Sequence, residues 1–359
     1  VNHVALLMSG GVDSSVAACL LLAQGFKVTG VHLKLFTFGL QEQKEENWIK
    51  VKDVCQKLNI PCQLLDLETV FKKKVIDSFT QSYQQGTTPN PCVVCNKTIK
   101  FGAFPDYAKE NLGADYISSG HYARIVQNHH SIGLAKATDS KKDQSYFLYQ
   151  LNQELLKQLI LPLGPLTKPE VRELAKRFSL TTNFGKESED VCFIHGDFQS
   201  FIQGKISNHP GAIIDKKGNI LGHHKGIHYY TVGQRQGLGI SSSDPLYVID
   251  LDPDRNTVMV GYRKDAYQTE LYLSSIHWIS GSPPPKELIL KAKVRYRGEE
   301  KFCHIVQEND GFRVIFEEPQ FAITKGQSIV FYENEQVLGG GVIANPKKSF
   351  LNKGERDGK

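Results

Sequence analysis

The sequence predicts an α/β fold: a doubly wound parallel-sheet domain at the N-terminus, then a small β-rich central domain and a C-terminal β-barrel. Three observations predict it. Apolar β-branched runs alternate with helical patterns through the first half, a glycine-rich turn joins the first strand to the first helix, and hairpin signals crowd the chain after about Pro210. With 359 residues, two or three compact units can each bury a core.

In order along the chain, His3 to Met8 reads as a short apolar strand, Ser14 to Gln24 as an apolar-rich helix stopped by Gly25, and Lys27 to Leu33 as a second strand. Val51 to Leu58 and Val70 to Tyr83 read as helices, and Gly113 to Ser119 as a further strand. Strands alternating with helices imply a parallel sheet with ligands at the carboxyl ends of its strands. Three hairpins follow: Ile213-Ile214 with Lys217-Gly218-Asn219, Tyr247 to Asp252 with Pro253-Asp254-Arg255-Asn256, and Phe302 to Gln307 with Asn309-Asp310-Gly311 before Phe312 to Phe316. The Pro-rich stretch from Ser280 to Pro285 reads as a linker, with a barrel of roughly six strands after it. The expected units are 1–205, 206–279 and 280–346, with a basic tail over 347–359.

Composition excludes several classes. The chain is 40% hydrophobic and 23% charged, and it has no apolar run of about 18 residues, so no membrane-spanning helix is expected. The start, Val1-Asn2-His3-Val4, shows neither a charged leader region nor a cleavage pattern, and a cytoplasmic enzyme without a membrane partner is expected. A net charge of +5 suits a polyanion partner without requiring one. Seven scattered Cys favour reduced, catalytic or metal-binding thiols over a disulfide framework.

Ser9-Gly10-Gly11-Val12-Asp13-Ser14-Ser15 lies between a strand and a helix, where glycine amides approach phosphate oxygens and the helix N-terminus favours negative charge. No Lys of a Walker loop is present, so strong γ-phosphate handling is not implied. The segment resembles instead the PP-loop of ATP pyrophosphatases, which hold the pyrophosphate leaving group while AMP passes to a carbonyl oxygen. That resemblance implies ATP and Mg²⁺, with Asp13 steering the ion. A glycine turn with a Ser/Asp helix cap is the plainer alternative.

Thr88-Pro89-Asn90-Pro91-Cys92-Val93-Val94-Cys95-Asn96-Lys97 is an ordered, Pro-punctuated loop leading into a helix over Ile99 to Ala108. Cys95 near a helix start and beside Lys97 is expected to have a lowered thiol pKa. Cys192 lies far along the chain in Val191-Cys192-Phe193-Ile194. A structural zinc site would need four ligands, and no second C-x-x-C occurs. Cys19, Cys55, Cys62 and Cys303 read as core thiols.

Together these segments, with Ser119-Gly120-His121-Tyr122, Lys142 to Tyr149, Thr231 to Ile240, Arg295-Tyr296-Arg297 and Leu338 to Gly341, resemble the tRNA-specific 2-thiouridylase family over nearly the whole chain. The resemblance implies adenylation of the wobble uridine of tRNA and its thiolation at C2. It assigns ATP to Leu7, Met8, Ser9, Gly10, Gly11, Val12, Asp13, Ser14, Leu33 and Gly120. It makes Cys192 the persulfide carrier and Cys95 its catalytic partner, the two closing a disulfide as sulfur leaves. It puts Asn90, Pro91 and Cys92 against the target base, and makes His121, Lys142, Asp143, Gln144, Arg295, Tyr296 and Gln327 tRNA contacts. The commoner family pattern has Asp where this chain has Cys92. Members with the C-x-x-C variant imply a second route, in which Cys92, Cys95 and Cys192 ligate three irons of a [4Fe-4S] cluster and the open iron binds hydrosulfide.

The implied partners are the anticodon loop of tRNA and a sulfur-donor protein of a cysteine desulfurase relay, with no DNA. Two other functions stay open on the residues alone: an amide-forming synthetase on a small molecule, which needs no persulfide cysteine, and a nucleotide-gated RNA-binding protein without chemistry.

Overall fold

The computed structural model describes residues 1–38, 42–127, 132–180, 191–194, 196–284 and 290–345, with residues 42–44 in backbone only. The expected tail 347–359, Pro285 of the expected linker, and Lys186 to Asp190 beside Cys192 lie outside the described residues.

The first sheet has five parallel strands in the order Cys62–Asp66, Lys27–Lys34, His3–Leu7, Tyr116–Ser118, Leu159–Ile160. His3–Leu7 is buried at every residue, as a central strand covered on both faces must be. From it the chain winds first to one side and later to the other, so strand order reverses between His3–Leu7 and Tyr116–Ser118. The crevice beyond the carboxyl ends of those two strands is where such sheets hold ligands. Leu6 pairs with Ser118, so the glycine turn and Gly120 leave the sheet side by side.

Helix Val12–Ala23 follows the turn as expected, and Glu42–Lys57 begins well before the predicted Val51. The predicted helix Val70 to Tyr83 is a continuous run interrupted by a π-turn: Glu68–Phe71, Lys72–Ile76, Asp77–Gln84. The loop and helix predicted around residues 88–108 become one long helical run, Pro91–Cys95, π-helical Asn96–Ala103 and Phe104–Leu112.

The central sheet has the order Tyr247–Asp252, Thr257–Gly261, Gly211–Ile214, Ile220–His224. Both predicted hairpins form at their turn residues, while the middle pair runs parallel. Six strands then close a barrel in the order Tyr267–Leu273, Gly311–Phe321, Lys301–Glu308, Leu290–Lys293, Ser328–Glu333, Gln336–Ala344, with the last pairing back to the first at Tyr272 with Ala344 and Leu273 with Ile343.

Two pairings join parts that local pattern separates. Tyr267–Leu273 and His277–Trp278, read with the central unit, hydrogen-bond to barrel strands. The hairpin Arg124–Gln127 and Ile132–Ala135, from the first unit, extends the same sheet through Ala135 and Gln336. A strand's sequence reveals its pleat but not its partner. As a result the two ends of the molecule share a core, in which Tyr146 and Tyr149 pack with Val330, Tyr332 and Val337, and Tyr146 Oη donates to Ser328 O at 2.7 Å.

Candidate active site

At the glycine turn, Gly10 takes φ +82°, a left-handed conformation suited to glycine. Ser14 Oγ and Ser15 Oγ both donate to Gly11 O, at 3.1 and 3.0 Å, and Ser9 Oγ accepts from Gly11 N at 3.3 Å. The hydroxyls hold the turn open at the start of helix Val12–Ala23, whose first amides are left for an anion. Gly120 closes the other side: a Cβ there would lie 3.1 Å from Ser14 N. Leu33 lies half-buried one residue before the end of its strand, Lys27–Lys34.

Asp13 is held by Tyr122, from the segment 119–122, and by Lys168, which no sequence pattern singled out. Lys168 Nζ donates to both of its carboxylate oxygens at 2.8 Å, and Tyr122 Oη donates to Oδ1 at 2.8 Å. Lys168 is only 5% exposed and begins helix Lys168–Arg177, where Thr167 N and Oγ1 each donate to Glu170 at 2.7 Å. A buried Lys in the first turn of a helix opposes the helix dipole, so its own element gives it no reason to be there. Asp13 does.

The three thiols singled out in the sequence are neighbours. Cys92 is half-buried, Cys95 buried and Cys192 exposed. Phe193 explains how a residue so distant in sequence arrives: its ring is buried among Phe71, Phe79 and Phe201, in the cluster that contains Cys95 and Ile99. Burying a Phe side chain stabilises by roughly 1.5–3 kcal/mol, more than the ~1–2 kcal/mol that ordering one residue's backbone costs. Phe38 N adds a hydrogen bond to Phe193 O at 2.8 Å.

The expected activation of Cys95 is reversed by its position. It is the fifth residue of its helix, not the first, and Lys97 is exposed. Burial pushes the Cys95 thiol up to about 12, with Lys100 pulling it down and Cys192 and Cys92 adding to the rise. Cys92 is raised by burial and by Cys192, with Lys100 opposing. Cys192 touches solvent yet is also raised, because protein surrounds it on most sides; Lys100 again opposes. Lys100, rather than Lys97, is the cation common to all three.

Lys100 also links the thiols to the phosphate loop. Its ammonium lies 3.4 Å from His121 Nε2, and His121 Nδ1 lies 2.8 Å from Ser119 Oγ. Burial holds the His121 pKa well below the ordinary range, with Lys100 acting the same way, so the ring is neutral and Nε2 accepts. Gly120 touches the loop and the next residue touches the cation facing the cysteines. Of the predicted core thiols, Cys19, Cys55 and Cys303 are buried and Cys62 is half-buried. Native-state alkylation with iodoacetamide is expected to reach Cys192 at least about 10-fold faster than Cys95 or the core thiols; equal rates in peptide mapping would contradict this burial pattern.

Among the described residues, no three Cys, His, Asp or Glu side chains form a metal-holding group.

The residues matched to tRNA contacts divide into two sets. Arg295 is exposed beside the Phe321 ring, Lys142 is half-exposed, and Tyr296 packs on Phe147 at 4.4 Å. Asn90 caps the thiol helix, accepting from Val93 N at 3.3 Å, with Pro91 at its first position and Cys92 half-buried beside it. Asp143, by contrast, is buried, accepting from Ala137 N, Ser145 N and Ser145 Oγ at 3.0–3.1 Å. Gln144 Oε1 accepts from Tyr122 N at 2.9 Å, and Gln327 Nε2 donates to Thr88 O at 2.9 Å. These side chains, with buried His121, are engaged within the protein.

Residues 2–196 match a family model described as the tRNA methyl transferase HUP domain, 199–262 one described as the tRNA methyl transferase PRC-barrel domain, and 268–343 one described as the aminomethyltransferase beta-barrel domain. The tRNA-specific 2-thiouridylase MnmA of Acaryochloris marina is 44% identical over 351 residues, spanning 95% of this chain and 99% of the relative. That of Synechocystis is 44% identical over 353 residues, spanning 97% and 98%. The chain belongs to the tRNA-specific 2-thiouridylase family. Another member, MnmA 1 of Clostridium botulinum, is 43% identical over 351 residues, spanning 95% and 98%.

For a thiouridylase-family chain, two residues of the site escaped sequence reasoning. Lys168 carried a usable signal: Thr167-Lys168-Pro169-Glu170 has the Thr-x-x-Glu spacing of a helix start, with a cation where the dipole disfavours one. Lys100 had none, because its proximity to Cys192 depends on the Phe193 anchor.

Proposed function

We propose that this chain is a tRNA uridine 2-sulfurtransferase: it spends ATP to adenylate the C2 oxygen of the wobble uridine and replaces that oxygen with sulfur. The observation that carries the reading is the run of contacts from the glycine turn through Gly120, His121 and Lys100 to the three thiols. Phosphate chemistry and sulfur chemistry are thereby joined by one chain of contacts. An amide-forming synthetase has no use for that adjacency. The matched model descriptions speak of methyl transfer and the relatives' names of thiolation; paired thiols beside a phosphate turn are the chemistry of the second.

The uracil C2 oxygen is a poor leaving group until AMP is attached to it. The amides after Gly11, Lys168 and a Mg²⁺ ion steered by Asp13 would meet charge on the departing pyrophosphate, and Mg²⁺ supplies Lewis-acid stabilisation there when bound. In the sulfur half-reaction, the terminal sulfur of a Cys192 persulfide attacks C2 and AMP leaves. The Cys95 thiolate then attacks Cys192 Sγ, leaving 2-thiouridine and a Cys95–Cys192 disulfide, which a dithiol reductant reopens. The exposure of Cys192 suits loading by a sulfur-donor protein of a cysteine desulfurase relay, and the burial of Cys95 keeps it from competing for that load. Orienting base, nucleotide and sulfur together supplies up to about 7–11 kcal/mol of the barrier.

The target base must leave its stack, which is cheapest in an unpaired anticodon loop. Lys142, Tyr296 and Arg295 would meet the RNA, Tyr296 offering a ring and the cations offering phosphate contacts. The affinity for tRNA is expected to fall with a log–log salt slope of roughly 0.7–0.9 per phosphate contacted; a flat response between low and moderate salt would remove the basic surface from the recognition scheme. No described helix is long and apolar enough to cross a membrane. A cytoplasmic setting would keep the thiols reduced.

The direct test supplies full-length protein with Mg-ATP, a wobble-uridine tRNA and a persulfide donor, and reads 2-thiouridine by mass spectrometry alongside AMP and pyrophosphate. Equal amounts of the three products support the reading; tRNA-independent AMP release without thiouridine sinks it. Anaerobic purification with iron analysis of wild type and Cys92→Ala decides between relay and cluster: colourless, active protein excludes the [4Fe-4S] route, and brown protein that loses iron on substitution establishes it.

A further inference from the structure

Phe321 stands where the central unit meets the barrel, and two cations lie over its ring. Arg263 is in the turn Arg263–Ala266 that leads from the central sheet into the barrel, with its guanidinium carbon 5.0 Å from the ring centroid; that of Arg295 is at 5.7 Å. The ring itself is fixed. Tyr267 faces it as the paired residue of the neighbouring strand, with centroids 5.3 Å apart, and Tyr247 of the central sheet meets it edge-on at 5.9 Å. Gly233 takes φ +91°, and a Cβ there would lie 2.6 Å from Ala322 Cβ and 3.6 Å from Phe321 Cε1, so the glycine turn of the central unit closes on this corner of the barrel.

Each cation gains from the ring, but two like charges gathered on one ring repel, and an anion offsets that cost. None comes from the protein. Among the described residues neither guanidinium has a carboxylate partner. Arg263 Nη2 donates to a neutral group, Tyr267 Oη, at 3.5 Å, while Asp265 is taken by Lys216 at 2.8 Å and Asp250 by Lys325 at 2.9 Å. Both arginines are exposed, and so are the rings of Tyr262 and Tyr267. Planar cations beside exposed rings suit a single RNA strand, whose phosphates accept from guanidinium forks and whose bases stack. Continuity favours that partner: Tyr296, next to Arg295, packs on Phe147 at 4.4 Å and lies within electrostatic reach of Cys92. A strand that offers its base to the thiols past Tyr296 meets Arg295, Phe321 and Arg263 in succession.

We propose that Arg263 and Arg295, both held on Phe321, form a clamp for the phosphates of the RNA strand beside the nucleotide being thiolated. This rests on the thiouridylase reading of the site and adds Arg263 and Phe321 to the contacts that resemblance implies. The ring sets where both guanidiniums sit before RNA arrives, so less side-chain freedom is lost on binding.

The test measures tRNA binding by full-length protein carrying Arg263→Ala, Phe321→Leu or both, using fluorescence anisotropy across a salt series. At low salt Arg263→Ala should raise the Kd roughly 5–20-fold and lower the log–log salt slope by about one. Phe321→Leu keeps both charges, yet it should raise the Kd about threefold or more, and the combined variant should lose less than the two costs together, because a guanidinium freed from its ring has no fixed position left to lose. The loss is expected in Kd rather than in the single-turnover thiolation rate at saturating tRNA. A Kd for Arg263→Ala within about twofold of wild type would overturn the clamp, and so would a raised Kd with an unchanged salt slope. Fully additive costs would also overturn it, since the ring would then place neither arginine. Thermal denaturation checks folding, and Arg263→Ala, at an exposed position, decides alone if Phe321→Leu does not fold. Wild type that binds tRNA but makes no 2-thiouridine would refute the thiouridylase reading, while Kd and salt slope would still report on the clamp.

Discussion

Cys192→Ser should lose 2-thiouridine formation by on the order of 10³-fold or more while still forming pyrophosphate from ATP in a tRNA-dependent burst. The substitution removes the sulfur carrier and nothing else the first half-reaction uses. Cys192 is exposed, so exchanging its sulfur for oxygen leaves no cavity, and Lys100, His121 and Gly120 stand between it and the phosphate turn. Cys95→Ser should differ in kind. Its persulfide partner can still attack C2, so the variant should accumulate tRNA joined to Cys192 through a mixed disulfide, visible as a band shift that dithiothreitol reverses. Quench-flow measurement of pyrophosphate, with mass spectrometry of digested tRNA, reads both halves. Full thiolation by Cys192→Ser would sink the relay. Loss of the pyrophosphate burst in the same variant would mean that the thiol also serves adenylation, against the division of labour drawn here.

What could be read from the sequence was local. The strand–turn–helix around Gly10 and Gly11 is written in consecutive residues, and so are the hairpins at Lys217-Gly218-Asn219 and Asn309-Asp310-Gly311, because turn chemistry acts over two to four positions. Cys92, Cys95 and Cys192 could be named because motif residues are legible one at a time. Their environment could not. The thiol pKa of Cys95 depends on a phenylalanine cluster assembled from helices near residues 71–79 and 193–202, and it moved opposite to the direction that a neighbouring Lys suggests. Partner choice between strands was equally hidden: Ile132–Ala135 shows the pleat of a strand but nothing of its pairing with Gln336 and Val337, two hundred residues away. The internal hydrogen bonds of Asp143, Gln144 and Gln327 were hidden for the same reason. Polar residues in a loop suit a ligand and suit an internal hydrogen bond equally well until their partners are known.

Lys168→Met should weaken Mg-ATP binding by roughly 10–100-fold, the equivalent of one charge-assisted hydrogen bond at about 1.5–3 kcal/mol. The glycine turn has no lysine of its own, and resting amides alone carry only part of the charge that a triphosphate brings. Lys168 is delivered from 155 residues further along the chain, held 2.8 Å from both Asp13 oxygens, and steadied by the Tyr122 ring with 5.8 Å from ammonium to centroid. A metal arriving with the nucleotide would give Asp13 a second cation to satisfy and would free the ammonium for the phosphates. Asp13→Asn separates this from a merely structural ion pair. If Lys168 serves only to neutralise Asp13, adding Lys168→Met to Asp13→Asn should cost no further ATP affinity; if it serves the phosphates, the double variant should bind roughly 10–100-fold more weakly than Asp13→Asn alone. Affinity is read by calorimetry with a non-hydrolysable ATP analogue, and thermal denaturation checks that each variant is folded. A double variant that binds as Asp13→Asn alone does would reduce Lys168 to a counter-ion.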